Sequence, residues 1–378
     1  MKTSKTTSNR SARCTVLVLQ GGGALGAYQG GAFEALVDAT RQPDWVAGIS
    51  IGSINAALIA GNPPARRVQR LQEFWQRVTA SVPSLGWPGA DGPLRSWAND
   101  WAAAWGATFG LPAFFQPRPG AALWSGECDR PSLYDTEPLR QTLLELVDFD
   151  LVNDGPTRLS VGAVDVQSGN FVYFDNRQQR IGPEHIMASG ALPPGFPAVT
   201  VEGRAYWDGG LVSNTPLQHV VENITSDAAT IFQIDLFNAR GALPRTLAQV
   251  ADREKDIRFS SRTRAVTDML HERHDMHQRI RALAAMLAPA QRSDPRVRLM
   301  LAATDDTAIT LVHLIHRHKG SETQTRDYEF SRASMQEHWQ VGHADMAHSL
   351  RSLAAAKAEP EPGAFRVFDY TQPHHATL

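Results

Sequence analysis

A chain of 378 residues with 42% hydrophobic and 20% charged side chains has enough apolar mass for a sizeable core, which excludes a wholly disordered or fibrous protein. That length suits two or three domains, or one large α/β domain with an extension. A formal net charge of −2 excludes a strong steering field for nucleic acid. The two cysteines, Cys14 and Cys128, cannot build a disulfide scaffold, and their scarcity fits a reducing compartment.

Residues 1–13 are polar and basic and read as a disordered tail. The apolar run 15–19 (TVLVL) is too short for a signal-peptide core and leads straight into glycines. It reads as a strand buried on both faces. Glycines 21–26 turn the chain into a helix over 27–39, with Ala32, Phe33, Leu36 and Val37 at helical spacing. A second strand is predicted at 45–49. A small-residue helix follows at 51–60 and stops at Gly61-Asn62-Pro63-Pro64. Strand, helix, strand, helix implies a layered α/β sheet with right-handed crossovers.

Residues 82–125 differ in character. They are rich in Gly, Pro and Ala and hold Trp87, Trp97, Trp101, Trp105 and Trp124, five of the nine tryptophans. Two readings stand: an insertion packing its aromatics on the main domain, or a lid or acyl-chain surface over an apolar site. Runs 159–166 and 170–174 pair as a hairpin, 181–189 suggests a short helix, and Pro193, Pro194 and Pro197 force an irregular loop. A brief strand at 205–207 precedes Asp208-Gly209-Gly210, and 230–237 is another buried strand. From about residue 245 to 287 the chain reads as a long, charge-laced helix. A late strand is predicted at 309–317, and a helix at 331–356 with Ser331 as its N-cap. The tail from Glu359 is Pro-rich and reads as loose. No run of about 18 apolar residues occurs, so no helix is expected to span a bilayer. The localisation read is cytoplasmic, with peripheral membrane contact open.

Gln20-Gly-Gly-Gly-Ala-Leu-Gly26 lies between a buried strand and a helix, where amide groups converge into an anion site. Such a site serves pyrophosphate binding or the oxyanion of acyl transfer. The first wants an acidic residue at the end of the second strand. That strand ends instead in Gly48-Ile49-Ser50-Ile51-Gly52, a G-x-S-x-G turn that thrusts a serine hydroxyl out at a helix N-terminus. A serine needs a base. Asp208, at a strand end before two glycines, is the candidate, because partial burial raises its basicity. His185 and His219 read as surface or packing residues. His271, His274 and His277 read as a solvated helix face, so neither a metal nor a cofactor is called for.

These residues resemble the patatin-like phospholipase family. Gly21–Gly26 looks like its oxyanion loop, Gly48–Gly52 its nucleophile elbow, Asp208-Gly209-Gly210 its acid motif, and Ala188-Ser189-Gly190-Ala191 with Pro194 and Phe196-Pro197 a further block. The resemblance implies a three-layer α/β/α sandwich with a mostly parallel central sheet. It implies a catalytic domain over 14–240 and a largely helical extension over 241–378. By position it makes Ser50 the nucleophile and Asp208 the base, without histidine. The oxyanion donors would be the amides of Gly22, Gly23 and Ala24, and the substrates lipid acyl esters. Gln20 and Leu25 depart from the pattern, which leaves the hole less positively supported. The competing class is a non-catalytic lipid-binding or scaffolding protein on the same core. A homo-oligomer also stays open, and the 11 Lys/Arg against 7 Asp/Glu in 251–298 leave contact with an anionic surface open.

Overall fold

The computed structural model describes residues 13–83, 92–120, 131–317, 325–356 and 363–371. The expected tail thus falls outside the described residues apart from Arg13, as do Trp87, Trp124 and Cys128. The chain opens with β1 (Cys14–Leu19), α1 (Gly26–Asp38), β2 (Trp45–Ile49) and α2 (Ile51–Ala60). Next come α3 (Arg67–Val78), α4 (Pro93–Phe109), the short pair β3 (Gln116–Pro117) and β4 (Tyr134–Asp135), then α5 (Glu137–Leu146) and α6 (Phe149–Asp154). β5 (Arg158–Asp165), β6 (Phe171–Asp175), α7 (Pro183–Ser189), β7 (Val199–Val201), β8 (Arg204–Asp208), α8 (Leu217–Asn223) and β9 (Ala228–Asp235) follow. The last third holds α9 (Leu247–Ala285), α10 (Pro289–Arg292), α11 (Pro295–Ala302), β10 (Ala308–Ile315), α12 (Arg332–Ala355) and β11 (Phe365–Asp369).

One sheet runs in the order β11-β10-β9-β1-β2-β5-β8-β7, with β6 also on β5. The strands from β11 to β5 along that path are parallel, whereas β6, β8 and β7 add antiparallel pairs. The continuous apolar run of β1 has a direct cause. Leu17 and Leu19 enter the core that packs α1, α2 and α12, while Val16 and Val18 enter the opposite core with Leu217 of α8 and Leu270 of α9. A strand covered on both faces has no polar side to alternate with, and full burial of each such side chain contributes about 1.5–3 kcal/mol. The architecture is the expected three-layer α/β/α sandwich.

Several elements depart from expectation. The tail beyond Glu359 is not all loose: β11 pairs in parallel with β10, Ile309 opposite Phe365. The C-terminal region is largely helical, yet its two strands extend the central sheet beyond β9. The face bearing His271, His274 and His277 is only partly solvated: His271 is exposed, His277 is half-buried and His274 is buried. The rings of His271 and His274 lie 5.6 and 5.7 Å from that of Phe365, His274 Nε2 sits 2.6 Å from the Gly363 carbonyl, and His277 Nδ1 accepts the Asp305 amide. α3, α5, α6, α8 and β7 had no reading in the sequence. Ser331 does cap α12, accepting the Ser334 amide. Among the described residues no helix is long and apolar enough to cross a membrane.

Candidate active site

Strand register explains how Ser50 and Asp208, 158 positions apart, come together. β6 occupies one edge of β5 along Ser160–Val164. The other edge is shared: β2 runs up it in parallel and ends with Ile49 opposite Gly162, and β8 runs down it antiparallel and ends with Asp208 opposite Ala163. The two strands therefore meet head-on over consecutive residues of β5. Ser50 follows the end of one, and Asp208 closes the other.

Ser50 takes φ 54° and ψ −124°, a left-handed conformation that L residues rarely adopt. Such an outlier costs about 1–3 kcal/mol and persists only where its surroundings enforce it. The surroundings are visible. A β-carbon at Gly48 would overlap the backbone of Gly52, and one at Gly52 would overlap the Leu19 carbonyl, so the turn closes only with glycine at both positions. The Ser50 amide donates to Ser189 Oγ (3.1 Å), whose hydroxyl donates to the Gly162 carbonyl (2.6 Å). Ser53 Oγ donates to the Ser50 carbonyl (2.6 Å).

Asp208 is 2% exposed. Its Oδ1 accepts the Gly210 amide at 2.7 Å. Burial pushes its carboxyl up to about 6, against the smaller opposing pulls of hydrogen bonds from the Ser50 hydroxyl and the Gly210 amide. The two histidines of the first 240 residues lie elsewhere. The His185 ring packs edge-on against Phe174 and its Nδ1 accepts the Gly182 amide. His219 stacks on Tyr173 at 4.0 Å.

The glycine loop lies beside the serine: a β-carbon at Gly21 would come within 3.0 Å of Ser50 Cβ. Of the three amides expected as oxyanion donors, Gly22 and Gly23 have no acceptor among the described residues. Ala24 does not fit that role here, because its amide donates to the main-chain carbonyl of Asp327 (2.7 Å). Gln20, one of the departures from the family pattern, is wholly buried. Its Oε1 accepts the Leu236 and Phe237 amides at 2.7 and 3.0 Å, and its Nε2 donates to Thr215 and to the Phe259 carbonyl. The side chain ties the loop's entry to β9 and α9. Asn214 holds the next residue, donating from Nδ2 to the Gly21 carbonyl (2.9 Å) and accepting the Gly21 amide on its own carbonyl (3.3 Å).

Ser50, Asp208 and Gly21–Gly23 open onto one cavity of about 430 Å³. Its other walls are mainly apolar, including Ile51 and Ile54 of α2, Phe114 and Phe115, Leu192 to Phe196 from the proline loop, and Phe237 and Phe259. Asp327, Tyr328 and Phe330 complete it from the C-terminal third. α4, within the Trp-rich segment that also supplies Phe114 and Phe115, borders the cavity through Ala107. It chains Trp101, Trp105 and Phe109 at ring separations of 5.3 and 4.3 Å. Leu94, Trp97 and Phe109 on it are largely exposed. No group of His, Cys, Asp or Glu among the described residues could hold a metal ion.

Sequence reading missed Ser189 as the elbow's support, Asn214, Phe259 and the 327–330 wall. Ser189 alone had a signal, the Ala-Ser pair of the fourth block. Asn214 acts through a side-chain donor and its main-chain carbonyl, and the rest through a carbonyl or an apolar surface, which no spacing marks.

Fold and site together define a three-layer α/β/α protein with a serine poised at a strand-to-helix elbow beside a buried carboxyl. The chain belongs to the patatin-like phospholipase family: the family profile described as patatin-like phospholipase matches residues 17–221, and a second profile, described as patatin phospholipase, matches 257–362. A patatin-like phospholipase domain-containing protein of Caenorhabditis elegans is 38% identical over 77 residues, 19% of this chain and 7% of that relative's length. Among solved structures, VipD from Legionella pneumophila aligns at 12% identity and a TM-score of 0.39, covering 92% of this chain and 69% of that one. ExoU with SpcU, from the type III secretion system of Pseudomonas aeruginosa, aligns at 13% identity and a TM-score of 0.30, covering 91% and 52%.

Proposed function

We propose that the chain is a serine lipid acyl hydrolase, of phospholipase A, lysophospholipase or carboxylester hydrolase type, working through a Ser50–Asp208 dyad and an acyl-enzyme. The observation that carries this reading is the convergence at one apolar cavity of a strained serine, a buried carboxyl pushed up to about 6, and two glycine amides without acceptors. A base with that proton affinity is still mostly ionised at neutral pH, yet takes a proton far more readily than a solvated aspartate.

In the first half-reaction Ser50 Oγ attacks the ester carbonyl carbon while its proton passes to Asp208. The carbonyl π electrons move onto oxygen, and the amides of Gly22 and Gly23 hold the resulting oxyanion. One such donor is typically worth about 2.7–4 kcal/mol of barrier. Collapse breaks the bond to the alcohol or lysolipid, which leaves with the proton from Asp208. Water then attacks the acyl-enzyme and gives its proton to Asp208. The second collapse releases the fatty acid, and Ser50 Oγ takes the proton back. The apolar walls would receive the acyl chain, and the exposed Leu94, Trp97 and Phe109 of α4 would meet a lipid surface.

A panel of p-nitrophenyl esters and phospholipids, run with Ser50→Ala and a fluorophosphonate probe, tests the reading. Turnover on an ester, its loss in Ser50→Ala and labelling of Ser50 are expected. Wild-type turnover in Ser50→Ala, or labelling of another residue, refutes the dyad. Bound fatty acid without turnover on any ester would favour the non-catalytic lipid carrier instead.

A further inference from the structure

Residues 325–330, between β10 and α12, form a strap that is anchored on several sides before it reaches the site. Thr325 Oγ1 donates to Asp100 of α4 (3.0 Å). Arg326 is 4% exposed, and its guanidinium pairs with Asp252 and Asp256 of α9 and lies over the Phe237 ring. Lys255, also on α9, meets the Asp327 carboxylate at 2.7 Å. At the strap's far end Glu329 accepts the Ser331 amide and Ser331 starts α12. Held this way, the strap does two things. Its Asp327 carbonyl accepts the Ala24 amide, and it lies so close to the glycine loop that a β-carbon at Gly23, which sits at φ +55°, would overlap that oxygen. Its Tyr328 and Phe330 side chains line the cavity, Phe330 with its ring 5.8 Å from that of Phe114 and 6.4 Å from that of Trp75.

We propose that this strap, supplied by the C-terminal third of the chain, is part of the acyl-binding machinery: Tyr328 and Phe330 set the length of acyl chain the cavity accepts, and the Asp327 carbonyl is a positioning group that fixes the glycine loop where its remaining amides face the reacting oxygen. The acyl nature of the ligand rests on the function proposed above. An apolar wall discriminates chain length because one methylene more or less in such a pocket is worth roughly 10–200-fold in kcat/KM. The carbonyl acts at a distance from the chemistry by denying the Gly23–Ala24 peptide its freedom to turn. Oxyanion donors work only when aimed in advance.

The test uses the full chain with Tyr328→Ala and Phe330→Leu, two changes that leave the strap's polar anchors in place, and Lys255→Met with Lys255→Arg beside it. Thermal melting first establishes that each is folded. Hydrolysis of p-nitrophenyl butyrate, octanoate, dodecanoate and palmitate gives the chain-length profile. Displacement of a dansyl-labelled fatty acid by the corresponding free acids gives the same profile without catalysis. Both cavity variants are expected to shift the ratio of dodecanoate to butyrate by about tenfold or more in each assay. Lys255→Met is expected to lower kcat severalfold with KM and chain preference kept, and Lys255→Arg to restore it. Length profiles that coincide with wild type in the displacement assay overturn the specificity role. Unchanged kcat in Lys255→Met overturns the positioning role. A shifted displacement profile in a protein that hydrolyses no ester keeps the strap's role as an acyl wall and removes the hydrolase reading.

Discussion

Replacing Asp208 by asparagine removes one proton site from the interior and little else. The side chain keeps its volume, and an amide oxygen can still accept the Gly210 amide. Two consequences follow with opposite signs. As the proposed base, Asp208 should account for about 10²–10⁴-fold in rate, and neither His185 nor His219 lies where it could substitute. Turnover of Asp208→Asn on an ester should therefore fall by at least a hundredfold. Stability should move the other way. A carboxyl pushed from 3.8 to about 6 prefers its neutral form in the folded chain, so its ionisation at higher pH works against folding. At about 1.4 kcal/mol per factor of ten in proton affinity, the destabilisation is about 3 kcal/mol. It is absent below the unfolded value near 4, develops between there and about pH 6, and is complete above. Urea unfolding of wild type and Asp208→Asn at about pH 4 and about pH 8 measures the difference. The variant should gain about 3 kcal/mol relative to wild type between those conditions. Turnover within tenfold of wild type would refute the base assignment. A pH-independent stability difference would refute the claim that burial raises this carboxyl.

The same burial sets the acid limb of the rate profile. The kcat/KM of ester hydrolysis should fall through a single ionisation near 6 as Asp208 protonates, and a limb near the ordinary aspartate value would contradict the buried environment. On α4, the exposed rings of Trp97 and Phe109 should contribute about 1.5–3 kcal/mol each if they enter a bilayer. The Trp97→Ser, Phe109→Ser double variant should then bind phosphatidylcholine vesicles at least about tenfold more weakly and still hydrolyse a short soluble ester. Equal vesicle binding would refute the lipid-surface role.

Much of the site was legible because its chemistry needs particular residue types in order along the chain. The serine between two glycines, the glycine loop after a strand and the aspartate before Gly209-Gly210 are each visible in sequence. β1, β5 and β9 were legible because strands covered on both faces write continuous apolar runs. What stayed hidden depends on pairing rather than on composition. Residues 365–369, FRVFD, alternate and carry charge, and only the edge of β10 makes them a strand. The loss of the Ala24 amide to Asp327 is a contact between main-chain groups some three hundred residues apart, to which side-chain identity contributes nothing. His274 looks like part of a solvated stripe until β11 is known to lie against it.

α1 packs closely against α12 at glycines. A β-carbon at Gly31 would strike the Trp339 carbonyl, and one at Gly342 would strike that of Tyr28. Tyr28 Oη donates to Asp345 and Trp339 Nε1 to Glu34 across the same contact. Since α1 is covered on nearly every side, it has no face suited to water. A fragment trimmed after residue 240 would bare that helix and leave β9 as a raw, unpaired edge, an invitation to aggregate. Anyone expressing the chain only as far as residue 240 should expect an insoluble product, and would recover a tractable protein only by carrying the remaining third along with it.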